Sequence, residues 1–338
     1  MSSIRKEQLI SAFKQLGKYL EQPDEAFQSV VYLARNANAW FTEEEVNKSV
    51  KALAEMLNEA DLEKWFEKIT VATEPKKVGL ILAGNIPLVG FHDVICVLAT
   101  GNTALIKLSS SDNKLLPFLL NKLIEFLPEL KNHVIYVEQL KDFNAVIATG
   151  SNNTSRYFEY YFGKVPNIIR RNRNSVAILT GDENEEDIAQ LGHDILDYFG
   201  MGCRSISKVF IPKNYEIKNF FEPLEQFKDI INHFKYNNNY DYNKSIYLVN
   251  QQKHYDNGFL LLKEDEGLSS PLAVLYYETY ENIDEVIEKL KHQQEQIQCI
   301  VGNISKADFN ALQFGQSQHP KLWDYADHVD TLDFLKQL

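Results

Sequence analysis

The sequence predicts an α/β protein: a doubly wound, mostly parallel sheet, preceded by helices and followed by a second α/β region. Three observations predict it. Short continuous apolar runs of strand length recur between residues 77 and 179, most followed by a helical pattern. The first 70 residues carry only helical periodicity. The chain has 338 residues, too many for one ordinary core, so two domains are expected.

The elements follow in order. Leu9, Ile10, Phe13, Leu16 and Leu20 recur at helical spacing. Thr42 with Glu45 forms a capping box and Phe41 with Val46 a hydrophobic staple, opening a helix through Val50, Leu53 and Leu57. Val78 to Ala83 reads as a buried parallel strand, 84–87 as a turn, and Leu88 to Thr100 as a buried helix with Pro87 in its first turn. A strand at Thr103 to Leu108 and the polar turn 109–112 lead into a helix through Leu127, ended by Pro128. Val134 to Val137 and Ala145 to Ala148 are the third and fourth strands. Thr149-Gly150-Ser151 then opens a helix to about Phe162, and Ser175 to Leu179 is the fifth strand. Ligands of such sheets sit beyond the carboxyl ends of the strands, where Asn85, Lys107, Gly150 and Ser151 fall.

The second half reads differently. Asp182 to Phe199 is helical, with Asp182 and Glu185 at capping-box spacing and Ile188, Leu191, Ile195 and Phe199 on one face. Gly200 to Ser205 is a glycine-flanked turn carrying Cys203, and Ile206 to Ile211 is a strand stopped by Pro212. A helical stretch, a polar loop at Tyr236 to Tyr240, strands at 245–249, 258–262 and 272–277, a helix at Asn282 to His292 and a strand at Cys299 to Val301 complete the chain. The expected divisions are 1–70, helical; 71–181, first domain; and 182–312, second domain. Residues 313–338 are free to rejoin the first, since chain termini often lie close together.

Composition excludes several classes. The net charge of −12 argues against a nucleic-acid surface and against attraction to anionic lipid. Cys96, Cys203 and Cys299 are widely spaced, and His92, His193 and His319 form no ligand pattern, so neither a disulfide framework nor a metal site is expected. The polar start, Met1 to Gln8, is no secretory signal, and no apolar run reaches membrane-spanning length; a reducing cytoplasm is the expected setting. On residue type alone, Cys203 reads either as a nucleophile or as a small packed hydrophobe.

Four segments in this order resemble the aldehyde dehydrogenase superfamily, most closely its LuxC-like acyl-CoA reductase branch, which supplies aldehyde in bacterial bioluminescence. They are Ala83 to Pro87, Ala99 to Lys107, Ala148 to Ser151, and Gly200 to Cys203 with its Gly-x-x-Cys spacing. The resemblance implies an aldehyde dehydrogenase-like fold: a Rossmann-type cofactor domain and a catalytic domain carrying the nucleophile. It implies that Cys203 is that nucleophile and that the Asn85 amide stabilises the oxyanion. Lys107 is implied at the adenosine ribose of the cofactor, and Gly150 and Ser151 at its pyrophosphate. Ser110 stands where many NAD-preferring relatives carry Glu. Without that carboxylate a 2′-phosphate is not repelled, so NADPH is expected, with NADH as the alternative.

Departures from the family pattern also carry information. Ser155 replaces a family glycine. The segment Glu266 to Leu272 resembles the one whose glutamate holds the nicotinamide ribose, but Gly267 takes the matching position beside Glu266. Arg170-Arg171-Asn172-Arg173 replaces the segment whose glutamate activates water in hydrolytic relatives, and a guanidinium cannot act as that base. The expected activity is therefore NADPH-dependent reduction of a fatty acyl-CoA to the aldehyde through a thioacyl-Cys203 intermediate. The arginines are candidates for pairing with CoA or cofactor phosphates, and His193, shortly before the Cys203 turn, reads either as a local base or as a helix-surface residue. Three alternatives remain: a cysteine acyltransferase or acyl-carrying partner protein, a reductase of acyl phosphate or of an acyl group handed over by a partner enzyme, and a noncatalytic binding protein on the same fold. A homodimer fits any of these.

Overall fold

The N-terminal helices form where the sequence supplies both caps and an apolar stripe. They are α1 (Lys6–Glu21), α2 (Glu25–Ala37), α3 (Glu43–Met56) and α4 (Glu59–Glu67). Asp24, Thr42 and Asn58 accept the backbone N–H groups of Phe27, Glu45 and Asp61, satisfying first-turn donors. The computed structural model describes residues 4–304, 306 and 309–338. It divides into one unit of Met1–Asn172 with His319–Leu338, and a second of Arg173–Gln318.

The first unit continues with β1 (Lys77–Ile81), α5 (Phe91–Ala99), β2 (Thr103–Lys107), α6 (Leu115–Phe126), β3 (Val134–Tyr136), β4 (Ala145–Thr149), α7 (Asn152–Phe162) and β5 (Asn167–Arg170). Its sheet is wholly parallel, in the order β3-β2-β1-β4-β5. Ile81 lies opposite both Lys107 and Ala148, so β2, β1 and β4 end side by side. The N-terminal helices are not a separate layer: Phe13, Leu16, Phe27 and Trp65 share one core with Val78, Leu80, Ile95 and Leu119. Leu322, Leu332 and Leu335 of the C-terminal segment join the same core.

The second unit holds β6 (Asn174–Ile178), α8 (Glu185–Leu196), β7 (Ile206–Pro212), α9 (Ile217–Phe221), α10 (Phe234–Val249), β8 (Tyr255–Asp256), β9 (Leu261–Glu264), β10 (Val274–Tyr280), α11 (Ile283–His292) and β11 (Ile297–Val301). Its sheet runs β11-β6-β7-β10-β9-β8, parallel except for β8 against β9.

Several expectations change. The strand expected at Ser175 to Leu179 is not the fifth strand of the first sheet. It is β6, paired with β7 and β11, so residues 173–181 belong to the second unit. The first sheet is completed instead by β5, which the sequence pattern missed. The helix expected from Asp182 begins at Glu185, because the Glu183 carboxylate folds back to accept from Thr180 and Gly181, leaving Asn184 to cap with Asp187. It ends at Leu196, since Tyr198 (φ 54) and Phe199 (φ 58) turn into the left-handed region. The helix expected from Leu88 starts at Phe91, because Leu88 itself is left-handed (φ 60). The expected loop at 236–240 and strand at 245–249 are both α10. Tyr236, Tyr240, Asn243 and Tyr247 are buried at helical spacing, and the Asn239 and Asn243 amides donate to carbonyls four residues back.

Among the described residues, no helix is long and apolar enough to cross a membrane. No group of three or more His, Cys, Asp or Glu is placed to hold a metal ion among them.

Candidate active site

The first unit gathers five of the seven expected site residues at one edge of its sheet. Chain order along the sheet reverses between β1 and β4, and a crevice beyond the strand ends is the expected ligand position at such a point. The exposed Asn85 lies in the turn after β1. Lys107 is the last residue of β2, exposed, with Ser110 in the turn beyond it. Gly150 follows β4, and Ser151 caps α7, its hydroxyl accepting the Thr154 N–H at 3.3 Å. The remaining α7 N-terminal N–H groups and the helix dipole favour an anion there.

The Asn85 turn is pinned on both sides. Gly84 packs so closely on the 109–112 turn that a Cβ would lie 2.4 Å from Ser109 Oγ. Ser49 Oγ of α3 donates to the Pro87 carbonyl at 2.8 Å, and Leu88 N–H donates to Asp112 Oδ2 at 2.9 Å. Asp112 is buried, and burial pushes its carboxyl up to about 6, against the opposing pull of backbone N–H groups from Leu88, Leu115 and Leu116.

In the second unit the Gly200–Ser205 turn, which carries Cys203, joins α8 to β7. Gly200 (φ 72) and Gly202 (φ 117) take left-handed backbone that a side chain would strain, which is why glycines flank the turn. Met201 N–H donates to the Tyr198 carbonyl at 3.0 Å, and Ser205 Oγ donates to the Met201 carbonyl at 3.1 Å, closing the loop around Cys203. Cys203 is half-buried, and its carbonyl accepts from Ser175 Oγ at 2.7 Å. The same hydroxyl accepts the Cys299 N–H at 3.2 Å and contacts Cys299 Sγ at 3.1 Å, tying the turn to β6 and β11. Burial pushes the Cys299 thiol up, against the pull of Arg204 and of the Ser175 hydroxyl. A cavity of about 30 Å³ lies beside the turn, walled by Phe199, Gly200, Ile206, Tyr236 and Leu260.

Glu266 is exposed in the same unit. Its carbonyl accepts from Lys208 Nζ at 2.9 Å, and the Leu268 carbonyl accepts from Ser207 Oγ at 2.6 Å. The strand leaving the Cys203 turn thus holds the Glu266 segment. Lys208 is fully buried against Glu278 (2.7 Å) and the Phe210 ring; desolvation lowers its pKa, against the pull of that carboxylate.

The basic run is employed otherwise than expected. Arg170 is 3% exposed and paired with Asp93 at 2.6 Å, with further bonds to the Ala326 carbonyl and Thr331 Oγ1, so it is structural and cannot reach a phosphate. Arg171 pairs with Glu159, and its backbone N–H donates to Asp327. Arg173 donates to the Gln294 carbonyl. His193 Nδ1 faces the Asp197 carboxylate at 3.2 Å, and Ser155 is buried in α7. Sequence reasoning missed Ser49, Asp112, Ser175 and Lys208. The last left a signal, a cation in register with Ile206 and Phe210 on one face of an apolar strand.

The fold these units define is that of the aldehyde dehydrogenases. An indole-3-acetaldehyde dehydrogenase solved with NAD+ is similar over 84% of this chain and 69% of its own, with 13% identity and a TM-score of 0.63. A Mycobacterium tuberculosis aldehyde dehydrogenase complexed with NAD+ is similar over 85% and 71%, with 15% identity and a TM-score of 0.61. An NAD+ complex of a Bacillus cereus aldehyde dehydrogenase is similar over 94% and 83%, with 15% identity and a TM-score of 0.61. No curated protein matches the sequence. The chain belongs to the acyl-CoA reductase (LuxC) family, whose profile matches residues 13–313. It is an oxidoreductase acting on acyl and aldehyde groups.

Proposed function

We propose that the protein reduces a fatty acyl-CoA to the aldehyde with NADPH, through an acyl group carried on Cys203. The observation that carries this reading is the Gly200–Ser205 turn: a half-buried thiol directly after two left-handed glycines, its backbone fixed by the Ser175 hydroxyl. In this reading the Cys203 thiol gives up its proton and its sulfur attacks the thioester carbonyl, the S–C bond to CoA breaks, and CoA leaves as a thiolate that takes up a proton in place of the one Cys203 released. The Cys203 backbone N–H and the Asn85 amide stabilise the tetrahedral oxygen.

The first sheet's ligand edge suits a dinucleotide. Lys107 supplies a cation at a strand end, Ser110 places a hydroxyl rather than a carboxylate at the exposed position of the neighbouring turn, and Gly150 with the Ser151-capped helix supplies a backbone seat for pyrophosphate. Glu266 would hold the nicotinamide ribose. A bound dihydronicotinamide supplies the hydride that reduces the acyl carbon. Cys203 then leaves as a thiolate while the carbonyl of the aldehyde forms.

Purified protein mixed with long-chain acyl-CoA and NADPH should release aldehyde and consume dihydronicotinamide in equal amounts, and Cys203→Ala should do neither. CoA release without loss of dihydronicotinamide would instead make the protein an acyltransferase, and a fully active Cys203→Ala would remove the nucleophile from the scheme.

A further inference from the structure

We propose that Asp112 is a positioning residue for Asn85, holding its turn through the Leu88 backbone from the same short segment that carries the cofactor-side residues. This rests on the reading of Asn85 as the oxyanion donor. The turn after β1 carries Asn85 between two anchors. On one side Gly84 lies against Ser109 with no room for a side chain. On the other, Pro87 and Leu88 are gripped by Ser49 Oγ at 2.8 Å and Asp112 Oδ2 at 2.9 Å. Leu88 sits at φ 60, a conformation its side chain disfavours, so the turn needs an external hold to stay in it.

Asp112 is an unusual residue to provide that hold. It is 6% exposed, and its Oδ1 is buried without a hydrogen bond of good geometry. A buried, incompletely satisfied carboxyl costs stability, so a neutral acceptor would be the cheaper structural choice. The carboxylate does give the stronger hydrogen bond to Leu88. The Asp112 N–H also donates to the Ser109 carbonyl at 3.3 Å, closing the turn that follows Lys107. Lys107 and Ser110 at its outer side face the proposed cofactor edge, and Asp112 at its inner side holds the Asn85 turn.

The test is a double-mutant cycle on kcat with acyl-CoA and NADPH, using Asp112→Ala, Asn85→Ala and the double variant. Asp112→Ala should lower kcat by about tenfold to a hundredfold, the scale of a misplaced catalytic group, with KM for acyl-CoA changed less than about threefold. In the Asn85→Ala background, Asp112→Ala should change kcat by less than about twofold, because the residue it positions is gone. Asp112→Asn, whose amide oxygen can still accept from Leu88 but more weakly than a carboxylate, should recover part of the rate. Equal losses from Asp112→Ala in both backgrounds would overturn the proposal while leaving Asn85 in its role. A fully active Asn85→Ala would remove the reading beneath it and the proposal with it. Should Asp112→Ala fail to fold, Ser49→Ala removes the neighbouring anchor at Pro87, and the same non-additivity is expected of it; strict additivity there would equally count against the proposal.

Discussion

Asp112 should make the stability of the first unit depend on pH in a direction opposite to that of an ion-paired carboxylate. Its folded pKa is raised from 3.8 to about 6, chiefly by burial, and no charged side chain offsets the cost. Between those values the folded chain keeps the proton that the unfolded chain has lost. Stability from this group is therefore fullest below pH 3.8 and declines as pH rises through about 6. The rise from 3.8 to about 6 corresponds to roughly 3 kcal/mol, most of which falls between pH 4 and pH 7. Other carboxylates obscure this in the wild-type profile, so the quantity to measure is the difference from Asp112→Asn. That variant removes the titration, whatever constant offset it introduces. Trp40, Trp65 and Trp323 all lie in the first unit, so urea unfolding followed by tryptophan fluorescence reports on it. Asp112→Asn should gain on wild type by about 2–3 kcal/mol on going from pH 4 to pH 7. A difference that stays flat over that range would show that the carboxyl is not held protonated by burial, and the reasoning would fail.

Other outcomes follow from the same geometry. Arg170→Met strands the Asp93 carboxylate in the core and should cost about 3–5 kcal/mol, read by urea unfolding; adding Asp93→Asn should restore a large part. Ser175→Ala leaves the Cys203 carbonyl without its 2.7 Å donor and should lower kcat at unchanged cofactor affinity, with a stability loss of about 1–3 kcal/mol. Ser110→Glu places a carboxylate on the turn beyond Lys107 and should shift the ratio of kcat/KM for NADPH to that for NADH at least about tenfold toward NADH.

What could be read from the sequence depended on where each element keeps its signal. Strands β1, β2 and β4 are buried on both faces, so their continuous apolar runs were visible in the chain. Strand β5 lies at one edge of its sheet and reads Asn-Ile-Ile-Arg, too short and mixed to stand out before the basic run. Helix α10 hid for a different reason. Its buried face is tyrosine and asparagine, whose polar ends find partners at depth: Tyr236 Oη donates to the Phe259 carbonyl at 3.0 Å and Asn243 Nδ2 to the Leu272 carbonyl at 2.9 Å. Hydrophobic periodicity cannot see a core built that way. At the candidate site, Cys203 was legible because its glycines advertise unusual backbone. Ser175 and Asp112 were not, because each acts on a partner far along the chain, and only the fold brings them there.

The basic run gives the argument about acyl discharge its sharpest form. The resemblance read from the sequence aligns this run with the segment that supplies a water-activating glutamate in hydrolytic relatives. Here Arg170 is built into the core with Asp93 and the C-terminal segment, while Arg171 is engaged by Glu159 and Asp327. The position has been given over to holding the first unit together, so no base returns there through a rotamer change. An acyl group on Cys203 should then wait for hydride. Mixed with acyl-CoA and no reductant, the protein should release at most one CoA per chain in a burst and then stop, with a thioacyl adduct on the Cys203 peptide detectable by mass spectrometry. Addition of NADPH should discharge that adduct as aldehyde, with free acid no higher than in a protein-free control. Steady CoA release without reductant would mean that water reaches the acyl carbon with help from another group, and the inference drawn from Arg170 and Arg171 would fail.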